Sequence, residues 1–323
     1  MDFGICPVAL EGRTSLRKIL LFLGIIFLVT QLSAMARPAG TIPILLDTDI
    51  GTDIDDAFAL ALILRSPELQ LLGVTTVSGD TQARARLAAK MLWDAGWPAV
   101  QVAAGELGKP LPIEQCRWAD GFLSPALTLQ SAVEFLRDQI ESRPGEIILI
   151  PIGPLTNVAG LFRDYPETGK KIKRIVLMGG SVMRGYAPNS APEAEYNIAQ
   201  DPAAAQVVFK SGVPILMAPL DATAMLELDA EARHRVFTQL TPLTNDLTIL
   251  YHLWNRPTPI LFDPMAVAIL LDPNLGETKP LHIEVDDKGF TRVVEGKAPN
   301  ATVALKTDPK KFLDFYLKRV APM

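Results

Sequence analysis

Cysteine and histidine are scarce in this chain, and basic residues are not in excess. There are two cysteines (Cys6 and Cys116), three histidines, and 31 Lys and Arg against 36 Asp and Glu, giving a net charge of −5. No basic stripe could track a phosphate backbone, which argues against nucleic-acid binding as the main function and leaves small neutral substrates open. Low-complexity linkers and internal repeats are also missing. With 49% hydrophobic residues in 323, the chain reads as an ordinary globular protein able to bury a large core, so one domain is the economical reading.

The N-terminal stretch stands apart from that domain. Arg13, Arg17 and Lys18 form a positive segment before the apolar run 19–29, and Ala34-Met35-Ala36 offers a small-x-small cleavage site. The run is short for a membrane span. Residues 1–36 are therefore expected to be a signal peptide and residues 37–323 the mature domain, periplasmic or secreted. The alternative is an uncleaved membrane anchor formed by the same segment. Cys6 precedes the apolar run, so no lipoprotein site is evident. Cleavage would leave Cys116 alone, with no internal disulfide, and packing must then supply stability.

Beyond residue 41, short apolar runs alternate with helical patterns. Residues 42–46, 71–77, 147–150, 175–178 and 213–217 are rich in Val, Ile and Leu, lack polar alternation, and predict buried strands. Residues 57–64, 84–94, 132–140 and 202–210 predict helices. This order predicts an α/β fold with a mostly parallel open sheet and helices on both faces. Residues 281–295, with Asp286-Asp287-Lys288-Gly289 in the middle, predict a small late β-hairpin.

The first strand runs into Asp47-Thr48-Asp49-Ile50-Gly51-Thr52-Asp53-Ile54-Asp55-Asp56, and a helix follows. Five carboxylates crowd one strand-to-helix turn, at the strand end where open α/β sheets bind their ligands. Helix capping accounts for one aspartate, not five. Such crowding calls for a neutralising cation, and ligation by oxygen alone points to a hard ion, Ca²⁺ or Mg²⁺.

This segment resembles the signature of the nucleoside hydrolase family (inosine-uridine preferring nucleoside N-ribohydrolases), and the likeness extends along the mature chain. Residues 73–80 resemble the second strand and substrate loop, and Pro151-Ile152-Gly153-Pro154-Leu155-Thr156-Asn157 a metal-carbonyl loop. Leu177-Met178-Gly179-Gly180, Asn189 and Glu195-Tyr196-Asn197 resemble a ribose-binding stretch, and Phe262-Asp263-Pro264 the segment of the last metal ligand. The resemblance implies a Rossmann-like sheet and a Ca²⁺-dependent enzyme that cleaves ribonucleosides into ribose and base. Asp49, Asp56, Asp263 and the Ile152 carbonyl would hold Ca²⁺, and Asp49 would be the general base. Asp55, Met178, Asn189, Glu195, Tyr196 and Asn197 would bind substrate, with Asp47 in support. The product fits purine salvage, and a homo-oligomer, dimer or tetramer, is compatible with the family.

The chemistry is coherent without the family name. Breaking a ribose–base bond passes through an oxocarbenium-like sugar, which nearby carboxylates stabilise. A cation on the ribose diol positions the sugar and acidifies a bound water, whose proton an aspartate can take.

Three departures bear on specificity. The loop between Asp49 and Asp55 is longer and carries Asp53, a candidate replacement ligand. Asp80 stands where the family commonly has asparagine and is expected to contact a ribose hydroxyl or favour a cationic base. Phe262 stands where many members have a histidine that protonates the leaving base, so purines, with a more basic ring, are the expected substrates. Among other residues, His234 is expected at the surface and His282 in a structural role. His252, Tyr251 and Trp254 are candidates for base contact or helix packing, Trp118 and Phe122 for a lid, Trp93 and Trp97 for the core. Gly179-Gly180 reads as a turn, since no P-loop follows. Two other functions compete: a Mg²⁺-dependent aspartate phosphatase, and a nucleoside-binding protein without turnover.

Overall fold

The computed structural model describes residues 1–2 and 40–323; the expected leader beyond its first two residues, including Cys6 and the cleavage site, lies outside the described residues. The chain divides into two units, Met1–Thr41 and Ile42–Met323, and the second carries the sheet and the site.

The second unit is built on eight strands in the order β3-β2-β1-β4-β5-β6-β10-β7. They are β1 (Ile42–Thr48), β2 (Leu69–Thr76), β3 (Gln101–Ala104), β4 (Ile148–Pro151), β5 (Arg174–Met178), β6 (Ile215–Ala218), β7 (Gly276–Leu281) and β10 (Ala301–Thr307). All pairings are parallel except β10 with the edge strand β7. β8 (Ile283–Val285) and β9 (Thr291–Val293) form the separate late hairpin that the sequence predicts. The α/β reading holds, with the order β3-β2-β1-β4-β5-β6 of a doubly wound Rossmann-like sheet. β3, β7 and β10 were not expected; β3 is four residues long, and β7 carries exposed polar side chains at the sheet edge.

The helices that build the core and site are α1 (Asp55–Leu64), α2 (Thr81–Asp94), α3 (Ala132–Ser142), α4 (Thr156–Asp164), α5 (Tyr196–Gln200), α6 (Pro202–Phe209), α7 (Pro242–Trp254), α8 (Phe262–Leu271) and α9 (Pro309–Val320). Strand alternation splits the core between the two faces of the sheet. Ile44 and Leu46 pack with α1, α2, α7, α8 and α9, while Leu45 packs with α3, α4 and α6. α1 is buried along its whole length and α8 along its first seven residues below Phe262, which explains their nearly unbroken apolar sequences. Among the described residues, no helix is long and apolar enough to cross a membrane.

Two expectations about tryptophans are corrected. Trp93 and Trp97 are 49% and 38% exposed rather than in the core, because α2 spends its buried face on Ala83, Leu87, Ala88, Met91 and Leu92. Trp118 and Phe122 form no lid: both rings pack around the Lys90 ammonium, 4.3 and 5.4 Å from the ring centroids, and line no part of the cavity described below.

Candidate active site

Pairing on both sides makes β1 the point where the chain path reverses. Asp47 faces Thr75 of β2 on one side and Pro151 of β4 on the other. A crevice opens at the carboxyl ends of strands at such a switch point. The cavity found there is about 290 Å³, near the lower end of the ~300–1,000 Å³ usual for small-molecule sites. It is lined by Asp49, Asp53, Asp55, Asp56 and Asp263, by Ile152, Met178, Glu195, Tyr196 and Asn197, and by Thr52, Tyr186, Arg256 and Phe262.

Two buried helices aim their first turns at this cavity. α1 begins with Asp55 and Asp56, and α8 carries Asp263 in its first turn. Helix N-termini present unpaired N–H groups and a positive dipole end, which favour carboxylates. The Asp263 amide donates to Asp55 Oδ2 at 3.4 Å, and the Thr48 hydroxyl donates to Asp56 Oδ1. One oxygen each from Asp55, Asp56 and Asp263 lies within 4.8 Å of the others, all buried. Asp49 shares the wall of the same cavity without belonging to that triad, and so does Asp53, whose Oδ1 accepts from the Ile54 amide at 2.7 Å.

Burial and mutual repulsion hold the carboxylates of Asp55, Asp56 and Asp263 well above the usual range. Burial raises Asp49 to about 6, against the pull of the Arg84 guanidinium. Asp47 rises to about 7 by burial, although its Oδ1 accepts from Thr75 Oγ1 at 2.6 Å and Asn157 Nδ2 at 2.8 Å. Asp47 thus braces the turn from behind and does not line the cavity. A buried, oxygen-only cluster whose charges disfavour one another fits a hard cation.

The residues expected to bind the sugar, Asn189 apart, come together around Glu195. Its carboxylate accepts from the amides of Gly180 (2.9 Å), Asn197 (2.9 Å) and Ile198 (3.2 Å), yet burial raises it to about 7. The Asn197 side-chain Nδ2 donates to the Ile152 carbonyl at 2.9 Å and to the Met178 carbonyl at 3.3 Å, joining the segments that end β4 and β5. Tyr186 meets Phe262 edge to face at 5.9 Å, and its hydroxyl accepts from the Tyr196 amide at 2.9 Å.

Two expected contacts are corrected. Asp80 is the N-cap of α2, accepting from the Ala83 amide at 2.9 Å, and is exposed outside the cavity; a residue opening a helix has its carboxylate drawn to the free amides. Asn189 is exposed on the loop between β5 and α5, with a left-handed φ of 60°, and does not line the cavity. None of the three histidines lines it either. His252 and His234 are exposed, and His282 Nδ1 contacts the Ala298 carbonyl at 2.7 Å, the structural role expected of it. Tyr251 packs on Phe237 at 5.2 Å, as helix packing requires.

Sequence reasoning missed Tyr186, Thr52 and Arg256 as lining residues, and Arg84 and Gln115 behind them. Arg84 carried a readable signal: it falls on the apolar stripe of α2 with Leu87, Ala88 and Met91, and is fully buried. Tyr186 and Arg256 sit on connecting segments and reach the cavity only through the folding of the chain.

The sheet and the site define a class, a doubly wound α/β protein with a buried acidic cluster and a polar cavity at the switch point of its sheet. Residues 44–314 match the family described as inosine-uridine preferring nucleoside hydrolase, and the chain belongs to that family. It is similar to a pyrimidine-specific ribonucleoside hydrolase, RihA, of Citrobacter koseri, at 34% identity over 87% of this chain and 98% of the relative. It is also similar to a non-specific ribonucleoside hydrolase, RihC, of Salmonella agona, at 37% identity over 83% of this chain and 94% of the relative. Among solved structures, a purine-preferring ribonucleoside hydrolase from Gardnerella vaginalis superposes with a TM-score of 0.74 at 28% identity, covering 86% of this chain and 98% of the other. The protein is an N-ribohydrolase, acting on the N-glycosidic bond of nucleosides. The phosphatase reading is set aside.

Proposed function

We propose that this enzyme is a Ca²⁺-dependent ribonucleoside hydrolase in which Asp49 is the general base. One observation carries the reading: Asp55, Asp56 and Asp263 converge in the cavity that Asp49, Ile152, Glu195 and Asn197 also line. Asp56, Asp263, Asp49 and the Ile152 carbonyl would hold the ion, which supplies charge neutralisation, a grip on the ribose diol and a more acidic water. Asp49, in the wall of the cavity beside the Asp55, Asp56 and Asp263 triad, is placed to accept that water's proton. Asp55, Glu195 and Asn197 orient the sugar, with Met178 and Tyr196 beside it. Asp53 lines the cavity as a further acid under the influence of the Arg256 charge. Metal analysis of Asp263→Ala tests the ligand set: metal and ribose release should fall together, and full metal occupancy would overturn it.

For the leaving base, we infer that purine ribonucleosides are preferred. Phe262 and Tyr186 give an aromatic wall with no proton donor of suitable pKa, and the purine ring is the easier of the two base classes to protonate from water. A second reading has its own support in Arg256, which lines the cavity and could stabilise a pyrimidine departing as an anion. The relatives divide in the same way, named pyrimidine-specific, non-specific and purine-preferring. Rates on inosine, adenosine, uridine and cytidine decide between them.

Export through removal of residues 1–36 is proposed from the N-terminal sequence alone. Mass spectrometry of protein from its native host should find no intact Met1; an intact Met1 would reject cleavage.

A further inference from the structure

The loop that carries Asp49 to Asp53 is clamped from outside the cavity by a side chain with no assigned role. Arg84 is fully buried on α2. Its Nε donates to the Ser78 carbonyl at 2.7 Å, one terminal nitrogen donates to the Asp49 carbonyl and to the Ile50 carbonyl at 2.9 Å, and the other donates to Thr52 Oγ1 at 2.7 Å. One rigid guanidinium fork therefore joins the turn after β2 to the turn after β1. Burying a cation this deeply is costly unless its hydrogen bonds and surrounding charge compensate, and here the compensation comes from these carbonyls and the nearby aspartates.

A second arm grips the same loop from the other side. The 3-10 turn Glu114–Ala119 brings Gln115, whose amide nitrogen donates to the Thr52 carbonyl at 3.2 Å and the Asp53 carbonyl at 2.8 Å. Cys116 packs on Gly51, which has φ +112°; a Cβ there would lie 2.5 Å from the Cys116 sulfur. Burial pushes that thiol up to about 12, so it acts as packing rather than as a nucleophile.

We propose that Arg84, seconded by Gln115, is a positioning residue for catalysis: it fixes the 49–53 loop so that Asp49 is presented to the ion and to substrate. A lysine cannot replace it, because a single ammonium nitrogen cannot span Ser78, Asp49 and Thr52 together. The proposal rests on the calcium reading for its metal readout only.

The test uses Arg84→Ala, Arg84→Lys and Gln115→Leu in the mature enzyme, with circular dichroism setting a temperature at which each is folded. Calcium affinity is measured by titration calorimetry on chelator-treated protein, and kcat and KM with p-nitrophenyl riboside, which needs no help in leaving. Supporting groups of this kind are worth roughly 10–100-fold in metal affinity or rate, so Arg84→Ala should lose about that much in calcium affinity and kcat, with KM changing less. Added guanidinium ion should restore part of kcat, and Arg84→Lys should remain impaired. A folded Arg84→Ala with wild-type calcium affinity and kcat, or one whose only defect is a lower Tm, overturns the proposal. If Arg84→Ala does not fold, Gln115→Leu should show a smaller loss of the same kind, and unchanged values there overturn it. Wild-type enzyme that binds no calcium overturns the calcium reading instead; Arg84 is then judged on kcat and guanidinium rescue alone.

Discussion

Gly153 lies so close to Asp49 that a Cβ on the glycine would sit 2.8 Å from Asp49 Oδ1 and 2.9 Å from the Asp49 amide nitrogen. The loop after β4 is thus moulded onto the turn after β1, and Ile152, one residue earlier, turns its carbonyl toward Asn197 in the cavity floor. Gly153→Ala should cost about 1–3 kcal/mol of stability through overpacking and should lower kcat by displacing Asp49. Thermal unfolding and ribose release measure the two effects. A variant with wild-type Tm and kcat would show that the contact is not constraining.

The acid cluster sets a pH dependence whose sign follows from its pKa shifts. Asp47 and Glu195 rise to about 7 and Asp49 to about 6, all above the ordinary values of 3.8 to 4.5. The folded state therefore holds these protons more tightly than the unfolded state. Their contribution to stability is full below the ordinary values and is lost as pH rises through about 6 to 7. Chelated protein should accordingly lose Tm between about pH 5 and about pH 8, and calcium should raise Tm more at the upper end. Calorimetry at several pH values checks this. A calcium effect larger at the acid end would contradict it.

Ribose recognition by buried polar groups predicts discrimination against 2′-deoxynucleosides. Asp55, Glu195 and Asn197 are 5%, 2% and 6% exposed, and a missing hydroxyl leaves such partners unpaired. A site built to bind a hydroxyl can reject its absence by as much as ~10⁴-fold in kcat/KM. Comparable kcat/KM for adenosine and 2′-deoxyadenosine would contradict these roles.

Much of this site was legible in the sequence because it follows from strand ends. Asp49, Asp55 and Asp56 follow the end of a buried apolar strand, so the pattern alone placed them at the sheet's carboxyl edge; Ile152 and Asp263 came only through the family resemblance, and they line the same cavity. Glu195, Asn197 and Met178 were found through resemblance and are drawn into the cavity as expected. Asp80 was misplaced because capping a helix and lining a pocket look alike in sequence. Tyr186 and Arg256 were missed because their positions depend on how long connections fold back. β3 and β7 were missed because a four-residue strand and a polar edge strand lack the apolar signal of the central strands.

Phe262 and Arg256 make the leaving base separable from the metal chemistry. Phe262→His should raise rates on natural purine nucleosides more than on p-nitrophenyl riboside, by up to the ~10²–10⁴-fold typical of a general acid. Arg256→Gln should slow uridine selectively if the guanidinium stabilises a departing anion. Equal effects of Phe262→His on natural and labile substrates, or uridine outrunning inosine and adenosine in the wild type, would contradict the purine assignment.

The most direct measurement is reducing-sugar release from a panel of ribonucleosides by the enzyme, before chelation, after it, and after calcium is restored. The cluster of Asp49, Asp55, Asp56 and Asp263 predicts ribose release that is lost with chelator and returns with calcium. Ribose release that continues undiminished in chelator, from protein shown to hold no metal, would contradict it.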